Sequence, residues 1–170
     1  MENTILLDGK LTGREDLMHL RGISPAMDDL AAFLEEWFSP KSSVQVQTSG
    51  STGAPKVMHA PKDCMRESAR MTCSFLGLKR GDKALLCMPL KYIGAKMVVV
   101  RAAVWGLDLR CVQASSHPLR GLDFAPDFAA MTPAQVHSTL ESAEEEACFR
   151  QIRHVIIGGG PIHADLGQRL

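Results

Sequence analysis

The sequence predicts an α/β fold in which a layered, largely parallel sheet is flanked by helices. Segments with helical periodicity alternate with short apolar strands, an order typical of parallel strands joined by helical crossovers. The strand at residues 84–88 is continuously apolar, as expected of a strand that is covered on both faces. Gly77 and Gly106 each follow a helical segment, where glycine readily adopts the left-handed conformation that ends a helix.

The first 43 residues are predicted to form a hairpin and one helix. Residues 5–7 and 10–12 flank Asp8-Gly9, a pair typical of tight turns between antiparallel strands. Ser24 followed by Pro25 predicts a helix start, because the hydroxyl can cap the first turn and proline fits its first position. The apolar residues that then recur at helical spacing, which we interpret as core, are Met27, Leu30, Ala31, Leu34, Trp37 and Phe38.

The rest of the chain is predicted to form the α/β core. A strand at 44–47 and a second strand at 57–59 enclose a polar segment, which is then the tip of a hairpin. Thr132-Pro133 predicts another helix start. In that helix, Val136, Leu140 and Ala147 are expected on the buried face and Glu144, Glu145 and Glu146 in solvent. The other expected elements are helices at 63–76 and 94–105, strands at 84–88, 109–112, 128–131 and 154–157, and a helix beginning near Pro161.

Composition and charge exclude several classes of function. The 170 residues are 45% hydrophobic and 22% charged, which is typical of a globular protein without a membrane span. The formal net charge is zero, so neither a nucleic acid nor an anionic membrane is an expected partner. Five scattered cysteines without a C-x-x-C pair indicate reduced thiols in a cytoplasmic protein. Neither the cysteines nor the six histidines have metal-ligand spacing, so no metal site made of protein ligands is expected.

The segment at residues 48–56 is the strongest functional signal in the sequence. Glycines let successive backbone N–H groups turn toward one point, and hydroxyls and a lysine add donors and charge, so the segment suits a phosphate. A flexible linker is the competing interpretation, although the segment is short and contains Pro55. The G-x-x-x-x-G-K-[ST] spacing of a Walker A loop is not met. The residues predicted to bind phosphate are Thr48, Ser49, Gly50, Ser51, Thr52, Gly53 and Lys56.

Two further segments follow predicted strands, at the sheet edge where ligands bind in α/β proteins. Residues 89–94 place Tyr92 where the sheet opens, and Lys91 there is either a partner for a substrate carboxylate or an ordinary exposed lysine. The second segment is Gly158-Gly159-Gly160-Pro161, for which a tight turn is the alternative explanation.

Together these segments resemble the adenylate-forming superfamily of acyl- and aryl-CoA ligases. Residues 48–56 meet every fixed position of its phosphate loop, [ST]-S-G-[ST]-T-G-x-P-K. Residues 89–94 resemble its P-L-x-x-x-G segment, with Tyr92 where many members have histidine. Residues 158–161 resemble its G-G-A-P segment. Within the superfamily, residues 69–72, 88–93 and 128–133 most resemble the compact o-succinylbenzoate–CoA ligases of menaquinone synthesis.

The resemblance implies a two-step ligase. A carboxylic acid would attack the α-phosphate of ATP to give an acyl-adenylate, and the thiol of coenzyme A would then displace AMP. ATP, Mg²⁺ and coenzyme A are the implied cofactor and co-substrates, and a small carboxylic acid is the implied partner. By the same resemblance, residues 48–56 hold the β- and γ-phosphates and residues 158–161 border the adenine. Lys91, Tyr92 and Gly94 would line the acyl pocket.

The resemblance also implies that parts of the enzyme are absent from residues 1–170. The superfamily's Y-G-x-T-E segment, its ribose-binding aspartate and its catalytic lysine follow the glycine-rich strand end, and no match is present here. We therefore expect a partial N-terminal AMP-binding domain without catalytic residues or a C-terminal domain. Within it, residues 1–43 would form the hairpin and helix and residues 44–170 the core. A ligase for another acid, a non-catalytic nucleotide-binding module and a homo-oligomer remain open.

Overall fold

The computed structural model describes residues 3–47 and 57–170. In those ranges the strands are β1 (Thr4–Leu7), β2 (Lys10–Gly13), β3 (Ser43–Gln47), β4 (Val57–Pro61), β5 (Lys83–Leu86), β6 (Asp108–Cys111), β7 (Phe128–Met131) and β8 (His154–Ile157). The α-helices are α1 (Pro25–Trp37), α2 (Lys62–Phe75), α3 (Ile93–Trp105), α4 (Pro133–Leu140), α5 (Ala143–Phe149) and α6 (Ala164–Arg169), and a 3-10 helix spans Arg14–Leu20. None of these helices is long and apolar enough to cross a membrane.

The main sheet has six strands in the order β2-β1-β6-β5-β7-β8. β2 runs antiparallel to β1, and all other neighbouring strands in this sheet are parallel. Ala84 on β5 is opposite Leu109 on one side and Phe128 on the other. The predicted α/β fold with a largely parallel sheet is therefore confirmed. Its consequence for function is that β5, β7 and β8 end side by side at one edge.

Both faces of this sheet are buried, which explains why the central strands are continuously apolar. Ala84 and Leu86 of β5 belong to one hydrophobic cluster, whereas Leu85 and Cys87, which follows the strand, belong to another. Helices α1, α2 and α3 cover the first face, and α4, α5 and α6 cover the second. Ile5 of β1 lies in the first cluster, so the N-terminal hairpin packs against the same core. The division of the chain at residue 44 stays a prediction.

Local turn and cap chemistry places several element ends where the sequence predicts them. Asp8 and Gly9 have φ angles of 48° and 76°, and they form the tight turn between β1 and β2. The Ser24 hydroxyl accepts a hydrogen bond from the Met27 N–H at 3.3 Å and caps α1. Gly106 ends α3 with a φ of 78°. These three predictions are confirmed.

The single long helix predicted after Thr132 is wrong. α4 ends at Leu140, and α5 starts one turn later because the Ser142 hydroxyl accepts from the Glu145 N–H at 3.5 Å. This break rotates the second part of the segment, so Ala147 is exposed and Glu145 is fully buried, the reverse of the expected arrangement. The helix expected near Pro161 begins only at Ala164.

Glu145 is stabilised in its buried position by hydrogen-bond donors from a loop distant in sequence. Its carboxylate lies 2.7 Å from Nδ1 of His117 and accepts from the Leu119 N–H at 3.4 Å. The Arg120 guanidinium is 3.7 Å away. A buried carboxylate needs such partners because an unpaired one is very costly to desolvate. Glu145 therefore fixes the loop that follows β6.

β3 and β4 form a separate two-stranded antiparallel sheet. The ladder runs from Ser43, opposite Pro61, to Gln47, opposite Val57. The predicted return strand is confirmed. Residues 48–56 join Gln47 to Val57 and lie outside the described residues, and with them all seven predicted phosphate-binding residues.

Candidate functional site

The candidate site lies at the edge where β5, β7 and β8 end. The segment after β5 contains Lys91 and Tyr92, the segment after β7 begins at Thr132, and the segment after β8 begins at Gly158. Because β7 is bonded to both β5 and β8, these segments are neighbours in space although they are far apart in sequence. This is the edge at which parallel sheets bind ligands.

Gln135 joins two of these segments, and the loop that follows β6, through one buried side chain. Its Nε2 donates to the carbonyl oxygens of Cys87 and Ser115, both at 2.9 Å. Its Oε1 accepts from the Thr132 N–H at 3.0 Å, and the Thr132 hydroxyl accepts from the Gln135 N–H at 3.2 Å. The amide thus holds the ends of β5 and β7 and the loop after β6 in one arrangement. Sequence analysis missed this residue, although the T-P-A-Q pattern is a capping-box signal that would have marked it.

A cleft of about 330 Å³ opens between the start of α4 and the glycine-rich segment after β8. Gly159 and Gly160 face Thr132 and Pro133 across it, and a Cβ on Gly160 would lie 3.8 Å from the proline ring. Gly159 has a φ of 86°, a conformation that glycine adopts at little cost. Gly158, Gly159, Gly160 and Pro161 are all exposed. The cleft is also lined by His137, His163 and Asp165, which sequence analysis did not select.

The segment after β5 lies beside the end of β3. Tyr92 forms an isolated parallel bridge with Gln47, the last residue before the 48–56 segment, and its side chain is 40% exposed. Lys91 Nζ lies 5.1 Å from the centroid of the Tyr92 ring. A Cβ on Gly94 would lie 3.5 Å from the methyl group of Met88. The predicted acyl-pocket residues are therefore close to one end of the predicted phosphate loop.

A lysine on α3 forms a hydrogen bond between that helix, which follows Tyr92, and the β3–β4 hairpin. The Lys96 ammonium donates to the carbonyl oxygen of Gln45 and lies 5.2 Å from the centroid of the Phe33 ring. Burial lowers the pKa of Lys96, and the nearby Glu36 carboxylate opposes that shift. In residues 3–47 and 57–170, no three His, Cys, Asp or Glu side chains come together in a way that could hold a metal ion.

Comparison with known proteins gives consistent matches. The sequence matches the AMP-binding enzyme family over residues 13–170. It is 23% identical to a 2-succinylbenzoate–CoA ligase of Haemophilus influenzae over 157 residues, which are 92% of this chain and 32% of that protein. It is 27% identical to a protein of the same name from Bacillus cereus over 139 residues, 76% of this chain and 28% of that one. The chain thus spans about a third of the length of these curated relatives.

The structural comparison agrees with the sequence match. The crystal structure of an acyl-CoA synthetase (AMP-forming)/AMP-acid ligase II-like protein from Dyadobacter fermentans superimposes with a TM-score of 0.81 at 31% identity. The match covers 93% of this chain and 46% of that one. A malonyl-CoA ligase complex, with a TM-score of 0.63 at 18% identity, shares the fold. With the family match over residues 13–170, these findings show that the chain belongs to the AMP-binding enzyme family.

Proposed function

We propose that this chain is part of an ATP-dependent acid–thiol ligase that converts a carboxylic acid to its coenzyme A thioester through an acyl-adenylate. The observation that carries the proposal is the bridge between Tyr92 and Gln47. It brings the segment proposed to hold the acid next to the segment proposed to hold the phosphates. The glycine-rich cleft after β8 lies at the same sheet edge, two strands away from β5.

In this proposal each segment holds one part of the reactants. Thr48, Ser49, Gly50, Ser51, Thr52, Gly53 and Lys56 bind the β- and γ-phosphates of ATP, with backbone N–H groups and hydroxyls as the main donors. Gly158, Gly159, Gly160 and Pro161 border the adenine in the cleft beside Pro133. Lys91, Tyr92 and Gly94 line the acid pocket. Rate acceleration at this edge comes from holding two anions together and stabilising the charge that develops on the phosphates.

Magnesium and coenzyme A complete the proposed reaction. Mg²⁺ commonly binds through substrate phosphates with one or two carboxylates rather than in an all-protein cage. That mode fits a site whose described residues contain no cluster of metal ligands. The ion would supply charge neutralisation to the polyphosphate. The thiol of coenzyme A then attacks the acyl carbon of the adenylate and gives up its proton to solvent, the C–S bond forms, and AMP leaves with the electron pair of the broken C–O bond.

We propose o-succinylbenzoate as the acid, which would place the enzyme in menaquinone synthesis in the cytoplasm. The two curated relatives carry the name 2-succinylbenzoate–CoA ligase, and this supports the assignment. Another aryl or acyl acid is the alternative within the same chemistry. Thioester formation assayed with o-succinylbenzoate, benzoate and a fatty acid distinguishes them, and a preference for either of the latter would refute the o-succinylbenzoate assignment.

The decisive test of the reaction is to measure ATP–pyrophosphate exchange catalysed by the natural protein in which this chain occurs. Lys56→Ala removes one charge-assisted contact to the phosphates, worth roughly 1.5–3 kcal/mol, so exchange is expected to slow about tenfold or more. Lys79→Ala, at an exposed turn, is the matched control and leaves exchange unchanged. Exchange at the unmodified rate in Lys56→Ala would contradict the proposed role of residues 48–56. ATP binding without exchange or thioester formation would instead indicate a non-catalytic nucleotide-binding module.

A further inference from the structure

A second cleft, of about 540 Å³, lies between the end of α1, the 3-10 helix and the start of α2. We call it the basic cleft, and its defining residues are Arg14, Trp37, Lys41, Lys62, Asp63 and Arg66. None of these residues belongs to the candidate site at the sheet edge.

The basic cleft carries an excess of positive charge in a chain whose formal net charge is zero. Four cationic side chains and one carboxylate line it, and the nearby Glu36 carboxylate opposes the lowering of the pKa of Lys62 by burial, so two positive charges are left in excess. The carboxylate, Asp63, pairs with Arg66 at 2.8 Å. Arg14 and Lys41 are exposed and make no ion pair with any other residue in the part of the chain that the structure describes. Such a concentration of unpaired charge attracts an anion.

The wall of the cleft is held in place by a buried lysine. Lys62 is only 2% exposed, and its Nζ donates to the carbonyl oxygens of Glu36 at 2.8 Å and Ser39 at 2.7 Å. Burial lowers the pKa of Lys62, and the positive charge of Arg66 lowers it further, which shows that the two cations are close enough to repel each other. Because its donors are already used, Lys62 contributes charge and fixed geometry rather than a contact to a ligand.

Arg66 is oriented by an aromatic ring. Its guanidinium carbon lies 5.2 Å from the centroid of the Trp37 ring, and Lys62 Nζ lies 5.9 Å from it. The Trp37 ring is itself 4% exposed and packed in the core, so its position is fixed. A guanidinium held this way presents donors in a planar fork that matches the oxygens of a phosphoryl group.

The basic cleft and the 48–56 segment are at opposite ends of the β3–β4 hairpin. Lys62 donates its backbone N–H to Ser42 at 2.8 Å, next to the first residue of β3, whereas Gln47 and Val57 pair at the other end. A five-residue strand spans about 16 Å, so one phosphate group cannot occupy both places.

We propose that the basic cleft is a binding site for the phosphoryl group of a small molecule, separate from the site at the sheet edge. Arg14, Lys41 and Arg66 supply the contacts. A phosphoryl dianion fits better than a monocarboxylate, because its two negative charges match the two positive charges in excess.

The test is titration of the ¹⁵N-labelled chain with sodium pyrophosphate, followed by NMR. The indole N–H of Trp37 reports on the cleft, and that of Trp105, which donates to the Leu78 carbonyl elsewhere in the fold, is the internal reference. We expect the Trp37 signal to shift and the Trp105 signal to stay. The doubly substituted Arg14→Gln, Lys41→Gln chain should bind at the cleft about a hundredfold more weakly, since each of the two lost charged contacts costs about a factor of ten. Arg70→Gln, which removes a charge from the exposed side of α2, is the control and should not weaken pyrophosphate binding at the basic cleft.

Several outcomes would overturn the proposal. A Trp37 signal that does not move with pyrophosphate, or that moves equally in the double variant, excludes a phosphoryl site here. Equal affinity for sodium succinate excludes the phosphoryl class. Saturable movement of Trp37 by pyrophosphate upholds the site, and a further titration with ATP then tells whether the phosphoryl group it takes is free or carried by a nucleotide. Binding to the 48–56 segment is distinguished by Lys56→Ala, which should weaken phosphate binding there and leave the shift of Trp37 in place.

Discussion

Replacing Gln135 by methionine tests whether one amide holds the candidate site together. Methionine has a similar length and leaves no cavity, but the carbonyl oxygens of Cys87 and Ser115 lose their donor and the Thr132 N–H loses its acceptor. The Cys87 carbonyl is buried, so losing its donor costs about 1–3 kcal/mol, whereas water can reach the exposed Ser115 and the half-buried Thr132; the free energy of unfolding should therefore fall by about 2 kcal/mol. Urea unfolding followed by circular dichroism measures this loss.

The matched control is Gln151→Met. Gln151 is exposed and its Nε2 donates to the Ala147 carbonyl at 3.1 Å, so water replaces that bond and the change should be within about 0.5 kcal/mol. A loss below about 1 kcal/mol in Gln135→Met would refute the assignment of Gln135 as the link between the strand ends, since it would mean that these groups find other partners.

Gln135→Glu adds a pH-dependent form of the same experiment. A carboxyl group facing two carbonyl oxygens can donate only when protonated, so its folded-state pKa must lie above the unfolded value of about 4.3. Its contribution to stability is present at acid pH and is lost as pH rises through the folded pKa. The stability deficit relative to the unmodified chain should therefore grow from about pH 4 to pH 7. A deficit independent of pH would show that the side chain has left the pocket.

Two further predictions concern the core and a helix end. Burial raises the pKa of Cys87 to about 12 and that of Cys73 to about 11, from an ordinary value of 9.0. Unfolded thiols therefore ionise first, so stability under reducing conditions should fall above pH 9.0 and fall less steeply in Cys87→Ala. Gly106→Ala should lose about 1–2 kcal/mol in urea unfolding, because alanine is strained at a φ of 78° and its Cβ would meet Arg80 at 3.1 Å. Gly167→Ala, where a Cβ has open space in α6, should lose nothing.

Features encoded by adjacent residues were predictable. The Asp8-Gly9 turn, the Ser24 cap and the glycine after α3 each depend on the conformation of two or three residues, so a short pattern is enough. The parallel sheet was predictable because its strands are apolar on both faces. The order of the strands in the sheet was not predictable, because it depends on which side of the preceding strand each helical crossover places the next one.

Features that depend on distant partners were missed. Glu145 lies in an acidic run that is typical of a solvated helix face, and its burial is explained by partners at residues 117–120, more than 20 positions earlier in the chain. Ala147 was misassigned for a related reason, because the Ser142 cap that splits the helix was overlooked. Gln135 was identifiable as a capping residue, but its bonds to Cys87 and Ser115 arise only when β5 and β7 pair. The predicted roles of residues 158–161 and 91–94 stay predictions.

The ladder pair of Gln47 and Val57 also bears on how freely the connecting segment can vary. Once the two ends are held opposite each other, the chain-entropy cost of closing the connection rises slowly with its length, by about 0.6 kcal/mol for a doubling. Lengthening the connection between Gln47 and Val57 by a few residues would therefore cost the hairpin well under ~0.6 kcal/mol in chain entropy. A change in the number of residues there should accordingly be tested for its effect on ATP–pyrophosphate exchange, since the β3–β4 ladder itself is expected to persist.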